Sequence, residues 1–256
     1  MRPFLSLVLL LCLGLASPVM AADLQNLYAE ALHASRGGDF VQALPLWDRV
    51  LEASPDDPAA LSNRGNVRLA LGDVDGAIHD QSRSIVLAPE ESDPHLNRGT
   101  AEEALQDWSA AASDYLWILE RQPDDASALY NLGNVRGSEG DWESARQLYG
   151  QAALARPGFA MARSSEALAA WQEGDLNWAE AELRKLIRRY PLFADARAAL
   201  SGLLWHRGFA GEAESHWAAA AGLDQRYRQA DWLRDVRRWP PVPTQDLMAF
   251  LALEQP

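Results

Sequence analysis

Few side chains in this sequence have the types and spacing that catalysis or metal binding requires. The five histidines are scattered, and only His206 and His216, ten residues apart, suggest a shared site. There is no glycine-rich phosphate loop, no Gly-x-Ser-x-Gly elbow and no His-Glu-x-x-His pair. We therefore predict no enzymatic activity, no cofactor and no metal. An enzyme or metal site near His206 and His216 is the minor alternative.

Polar side chains instead recur at a fixed interval. Asn63, Asn97 and Asn131 are 34 residues apart, and the set Asn66, Thr100 and Asn134 follows three residues later. A carboxamide both donates and accepts hydrogen bonds, so a ladder of amides can pair with the main chain of an extended peptide. The alternative is that these amides satisfy helix backbones or water. Either role requires an element, repeated every 34 residues, that positions them.

That element is visible as a repeat that starts at Leu24 and continues without a gap. Its six units are 24–57, 58–91, 92–125, 126–159, 160–193 and 194–227. Position 20 is always alanine and position 8 is always small, as two closely crossing helices require. Position 15 is glycine in five units, which suits the end of a first helix. Aspartate at position 16 can cap the second helix, and proline at position 32 ends it.

The clearest unit combines the run Leu129 to Asn134 with Gly140, Asp141 and Trp142. This pattern resembles the tetratricopeptide repeat (TPR), over residues 24–227. The resemblance implies an all-α fold, a right-handed α-solenoid of six tandem helix-turn-helix repeats with C-terminal capping helices. One departure is arginine, at positions 64 and 98, where the family usually has leucine.

The resemblance also implies that positions 2, 5, 6, 9, 12 and 13 of each repeat face a concave groove that binds a polypeptide. The candidate partner-binding residues on this face are Ser62, Asn63, Asn66, Asn97, Thr100, Glu103, Ser127, Tyr130, Asn131, Asn134, Met161, Trp171 and Trp205. Aromatic side chains and methionine would anchor apolar groups of the partner. A register shift of one residue would place the tryptophans in the core instead.

The C-terminal segment, residues 228–256, continues with helical signals. Asp224 to Trp239 is predicted as a further helix, which the prolines between 240 and 243 end. Thr244 is then expected to cap a short amphipathic helix. We predict that this segment is a lid over the apolar end of the solenoid. The alternatives are a detachable segment that engages a partner or a membrane surface, and a segment through which the chain self-associates.

Residues 1–22 have the layout of a secretory signal: one basic residue, an apolar stretch and a small-residue exit at Ala21. We expect export to a periplasm or a thylakoid lumen. The alternative is an uncleaved anchor formed by residues 4–22, which is about the length of a membrane span.

The net charge of −13 argues against nucleic-acid binding and is compatible with simple solubility or with a basic partner. The sequence thus predicts a non-enzymatic scaffold for another protein or peptide. Assembly of a larger or membrane-bound complex is one use that we expect for it.

Overall fold

The computed structural model describes residues 18–253, with side chains from residue 22 onward. Most of the predicted signal segment, and of the alternative anchor, lies outside these residues. Within residues 18–253, no helix combines the length and the hydropathy that a membrane span needs. The chain divides into two compact units, residues 1–89 and 90–256.

The first unit contains two helix pairs, and the second contains four pairs and a C-terminal segment. The helices are α1 (Pro18–Arg36), α2 (Phe40–Ala53), α3 (Pro58–Ala70), α4 (Val74–Leu87), α5 (Ser92–Ala104), α6 (Trp108–Arg121), α7 (Ala126–Ser138), α8 (Trp142–Ala155), α9 (Ala160–Gln172), α10 (Leu176–Arg189), α11 (Ala194–His206), α12 (Ala210–Leu223) and α13 (Pro241–Leu253). A 3₁₀ turn, Gln225–Arg228, and a π-helical turn, Trp232–Val236, lie between α12 and α13. The predicted all-α fold of consecutive helix pairs is confirmed.

The turn inside each pair follows from positions 15 and 16 of the repeat. Position 15 is left-handed in all six pairs, including the third, where Gln106 has φ 59° in place of a glycine. The aspartate that follows caps the second helix by accepting a hydrogen bond from the N–H three residues later. The acceptors are Asp39, Asp73, Asp107, Asp141 and Asp175. The sixth pair has Phe209 at this position and lacks a side-chain cap.

Close helix crossing depends on the small residue at position 8. A Cβ on Gly133 would lie 2.7 Å from the ring of Tyr149, and one on Gly99 would lie 2.6 Å from the ring of Tyr115. These distances are shorter than real carbon contacts, so the second helix packs directly on the backbone of the first.

The unusual arginines at position 7 are paired with aspartates sixteen residues later. Arg64 donates to Asp80, which is fully buried, through Nε at 2.7 Å and Nη2 at 2.8 Å. Arg98 bonds Asp114 in the same way in the next repeat. The fourth repeat has leucine at both positions, 132 and 148. A buried ion pair therefore replaces an apolar contact, and the departure from the family pattern is compensated locally.

The predicted helix from Asp224 to Trp239 is wrong. Helix α12 ends at Leu223, because Asp224 is extended (φ −155°, ψ 112°). The Asp224 side chain accepts a hydrogen bond from the N–H of Arg226 and so caps the 3₁₀ turn that begins at Gln225. Gln229 is extended as well, and it separates this turn from the π-helical turn.

Thr244 does not cap the last helix. Helix α13 begins at Pro241, since proline is tolerated in the first turn of a helix, where its missing N–H has no intrahelical partner. The N–H of Thr244 donates to the carbonyl of Pro240 instead.

Candidate functional site

The C-terminal segment of the second unit lies along the first helices of the repeats. We call the surface formed by α5, α7, α9 and α11 the inner face. Helix α13 packs on α11 and α9. Its Leu247 approaches Gly202 so closely that a Cβ there would lie 3.3 Å from the Leu247 backbone, and its Phe250 ring lies 6.5 Å from the Trp205 ring. We predicted a lid over the apolar end of the solenoid, but helix α13 instead lies on the first helices of the fifth and sixth repeats.

The main chain of this segment is recognised by a side-chain amide. The N–H of Val242 donates to Oε1 of Gln172 at 2.8 Å, and Gln172 is at position 13 of the fifth repeat. An inner-face amide thus accepts a hydrogen bond from a main-chain N–H in the first turn of α13, and the asparagine ladder would offer the same type of bond to an extended peptide.

A buried carboxylate, Asp195 on α11, fixes the beginning of the segment. It accepts hydrogen bonds from Ser164 Oγ (2.6 Å), Tyr227 OH (2.9 Å), Arg237 Nη2 (2.7 Å) and Nε (3.0 Å), and Trp239 Nε1 (3.1 Å). Burial alone would raise the pKa of Asp195, but the charge of Arg237 and these hydrogen bonds bring the pKa below its usual value. Asp195 therefore stays ionised and holds a buried arginine.

A second carboxylate, Glu103 on α5, faces the neighbouring arginine. Its Oε1 accepts from Tyr115 OH at 2.7 Å, and its Oε2 is 3.6 Å from Nη2 of Arg238. Burial raises the pKa of Glu103, and the hydrogen bond from Tyr115 and the charge of Arg238 only partly oppose this. The Arg238 guanidinium also lies over the Trp108 ring, 5.1 Å from its centroid.

The structure divides the predicted binding residues in the fifth and sixth repeats between core and tail contact. Trp171 is 1% exposed and belongs to the hydrophobic core, so its prediction as a partner contact is wrong. Trp171 shares this core with apolar side chains of α13, which packs on α9. Met161 contacts the Arg237 guanidinium, and Trp205 packs near Phe250. In the third repeat Glu103 is buried as well, so the structure shows no surface there for a partner to contact directly.

Six predicted residues on α5 and α7 lie on a stretch of the inner face that is more accessible. Thr100 is exposed, and the other five are half-buried; the six are Asn97, Thr100, Ser127, Tyr130, Asn131 and Asn134. Part of their bonding capacity is already used, because Asn134 Oδ1 accepts from Tyr149 OH (3.0 Å) and Ser127 Oγ accepts from Arg156 (2.8 Å). We call this stretch the polar stretch.

In the first unit the predicted residues are engaged internally. Ser62 is buried, and Asn63 donates to the carbonyl of Ala59 at 2.8 Å. Asn66 Oδ1 accepts from Gln81 Nε2 at 3.0 Å. The alternative interpretation, in which the amides bond within the repeats themselves, thus describes the side-chain N–H of Asn63 and the side-chain oxygen of Asn66.

Comparison with known proteins agrees with this geometry. The model of the tetratricopeptide repeat matches residues 28–92, 96–160 and 130–184, which together cover more than half of the chain. The chain belongs to the tetratricopeptide repeat family. TPR proteins are known as non-enzymatic interaction modules. No curated protein matches the sequence.

Solved structures with the same fold are TPR proteins too. One from Parabacteroides merdae is 17% identical, with 90% of this chain and 98% of that chain covered and a TM-score of 0.63. One from Thermus thermophilus is 23% identical, with 71% and 99% covered and a TM-score of 0.61. YrrB, described as a TPR protein with an unusual peptide-binding site, is 15% identical, with 70% and 92% covered and a TM-score of 0.53. At these identities the likeness concerns the fold alone.

The two histidines of the minor alternative have separate carboxylate neighbours. His206 Nδ1 lies 2.9 Å from Asp246 of α13, and His216 Nε2 lies 3.8 Å from Glu212 of its own helix. Within residues 18–253, no group of three or more histidine, cysteine, aspartate or glutamate side chains is placed to hold a metal ion. The contact between His206 and Asp246 joins α11 to α13.

Proposed function

We propose that this protein is a non-enzymatic scaffold that binds an extended polypeptide segment along the polar stretch of its inner face. The observation that supports this most directly is the contact between Gln172 and the backbone of Val242. It is an example, within the molecule, of an inner-face amide that recognises main chain beside buried apolar anchors such as Leu247.

The polar stretch offers the same chemistry to a second segment. Asn97 and Asn131 occupy equivalent positions on adjacent first helices, and Thr100 is exposed beside them. An extended chain that crosses α5 and α7 would meet one amide per helix, and the half-buried Tyr130 ring would provide an apolar contact.

The binding test begins with crosslinking in the native cell and identification of the captured polypeptide. The affinity of the purified polypeptide is then measured for the wild type and for the variant Asn97→Ala/Asn131→Ala. We expect a loss of about ten-fold or more, since each hydrogen bond contributes about 0.5–1.5 kcal/mol. The matched control is Gln147→Ala/Gln151→Ala, which removes two exposed amides from α8, a second helix. Equal affinities for all three proteins would refute binding along the polar stretch.

We further propose that the protein is exported and that it serves the assembly of a larger or membrane-bound complex. The support for export is the signal-like layout of residues 1–22. Mass spectrometry of the protein from its native cell should find an N-terminus near Ala22. An N-terminus at Met1 in a membrane fraction would favour the anchor formed by residues 4–22 instead.

Self-association through the C-terminal segment is the second candidate. It requires release of the segment, because Leu247, Phe250 and Leu251 are buried against the rest of the molecule. Light scattering on the full-length protein should therefore give the mass of a monomer over a wide concentration range. A stable dimer would favour this candidate over the scaffold.

A further inference from the structure

Formal charge at the inward positions of the repeats in the second unit has one sign. The family's inward positions in the four repeats from 92 to 227 include Asp93, Glu103 and Asp195, and none of them is a lysine or an arginine. The C-terminal segment brings Arg237 and Arg238 to two of these carboxylates. The face is therefore built to receive cations from a polypeptide.

The match between the two arginines and the two carboxylates is specific in geometry. Arg237 makes two hydrogen bonds to Asp195, and its side chain is 12% exposed. Arg238, the next residue, points to Glu103 on α5, whereas Asp195 is on α11. Trp239 then donates to Asp195 as well. Two adjacent arginines followed by a tryptophan thus contact two of these three carboxylates, Asp195 and Glu103.

We infer that the partner presents the same chemistry: a polypeptide segment with two adjacent arginines followed by an aromatic residue, which replaces residues 237–239 on Asp195 and Glu103. This inference rests on the proposed function, because it names the kind of partner that the inner face accepts. The C-terminal segment then competes with the partner for Asp195 and Glu103. The net charge of −13 would also accelerate the association of a basic partner.

The contact between the segment and the inner face has imperfections that favour exchange. Arg238 has a left-handed backbone (φ 55°), which is unfavourable for a residue with a Cβ. The Thr244 hydroxyl and the Trp171 indole N–H are buried without a hydrogen-bond partner in the described structure. Release of the segment would let water bond the Thr244 hydroxyl, and a partner that bonded the Trp171 N–H or avoided the strained conformation would gain relative to the segment.

The test uses the full-length protein and a fluorescein-labelled peptide with the chain's own sequence 231–242 as the probe, followed by fluorescence anisotropy. In the wild type the attached segment competes at an effective concentration on the order of millimolar, so the probe binds weakly. In Arg237→Ala/Arg238→Ala the competitor is weakened, and we expect the probe to bind at least about ten-fold more tightly. Arg238→Ala alone, which disturbs the fold less, should give an intermediate affinity.

Three comparisons make this result specific. A probe with glutamine at both arginine positions should not bind. Adding Glu103→Gln to the double variant should weaken probe binding about ten-fold, and glutamine keeps an acceptor for Tyr115. The matched control Arg234→Ala removes an arginine that bonds Asp231 and Asp235, outside the inner face, and it should behave like the wild type.

Equal probe affinity in the wild type and the double variant, or binding that ignores Glu103→Gln, would overturn the inference. A stable dimer of the wild type would overturn it too, because the occupant would then be the segment of a second copy. The polar stretch is untouched in this assay, so a negative result leaves the proposed function standing. Conversely, absence of the asparagine effect in the binding test would refute binding along the polar stretch without changing the result of this probe assay, so the two failures are distinguishable.

Discussion

Asp195 is the residue whose loss should affect the C-terminal segment most. In the variant Asp195→Ala the donors Tyr227, Arg237 and Trp239 lose their shared acceptor, and the charge of Arg237 remains buried. Removing one partner of a buried ion pair costs about 3–5 kcal/mol. The contribution of the segment's apolar side chains is unchanged. We therefore expect the segment to be released from the inner face far more often than in the wild type.

Hydrogen exchange measures this release directly. A loss of about 3–5 kcal/mol corresponds to roughly a 10²–10³-fold or larger decrease in the protection of the α13 amides, if they exchange through local opening. The matched control is Asp235→Ala. It removes an exposed aspartate that pairs with Arg234, and such fully exposed pairs contribute little to stability. Unchanged α13 protection in Asp195→Ala would refute the idea that this carboxylate holds the segment.

The same carboxylate gives the effect a pH dependence of known sign. The pKa of Asp195 is lowered in the folded protein, below the value of about 3.9 expected in the unfolded chain. Its stabilisation is therefore fully present above about pH 4, and it is lost as the pH falls through the lower folded pKa. The difference in α13 protection between the wild type and Asp195→Ala should persist at pH 5 and shrink below pH 4.

Three further changes test the repeats themselves. Burial, with the charge of Asp114 adding to it, raises the pKa of Glu102 to about 7. Between about pH 4.3 and 7 the folded state therefore keeps a proton on Glu102 that the unfolded state has lost, and the protein loses stability as the pH rises through this range. Glu102→Gln should therefore raise the thermal midpoint at pH 8 but not at pH 4; equal shifts at both would contradict the assignment. Gln106→Gly should stabilise by about 1 kcal/mol in urea titrations, because φ is 59° there, and a loss of stability would count against strain at this turn. Gly133→Ala should destabilise by about 1–3 kcal/mol through the Tyr149 contact at 2.7 Å, measured beside a Gly99→Ala variant that should behave alike.

The helix pairs could be predicted from the sequence because their determinants are local. A left-handed residue, a capping aspartate and a helix-ending proline act within a few residues of the turn that they form. The arginines at positions 64 and 98 show the limit of this reasoning. Their partners Asp80 and Asp114 lie sixteen residues away, and the pairing could have been found only by comparing two columns of the repeat together.

The candidate site could be predicted only in part. The polar stretch follows from repeat position, and it stays a prediction until a partner is measured. The burial of Trp171 was not evident from the sequence, because repeat position alone does not show whether another segment of the chain packs over position 12. The small and apolar residues at inward positions of the last two repeats, such as Leu168, Ala198 and Gly202, were the available signal that something covers them.

The sequence by itself determined the repeat, its helices and its turns, since each depends on contacts within 34 residues. Only the tertiary structure decided where the C-terminal segment lies. That placement depends on bonds between residues more than forty positions apart, such as Asp195 with Arg237 and Trp239, and on helix α13 matching the surface of α9 and α11. Such a fit is a property of the folded surface, because the apolar pattern of the segment would suit several faces and only the buried carboxylates select one.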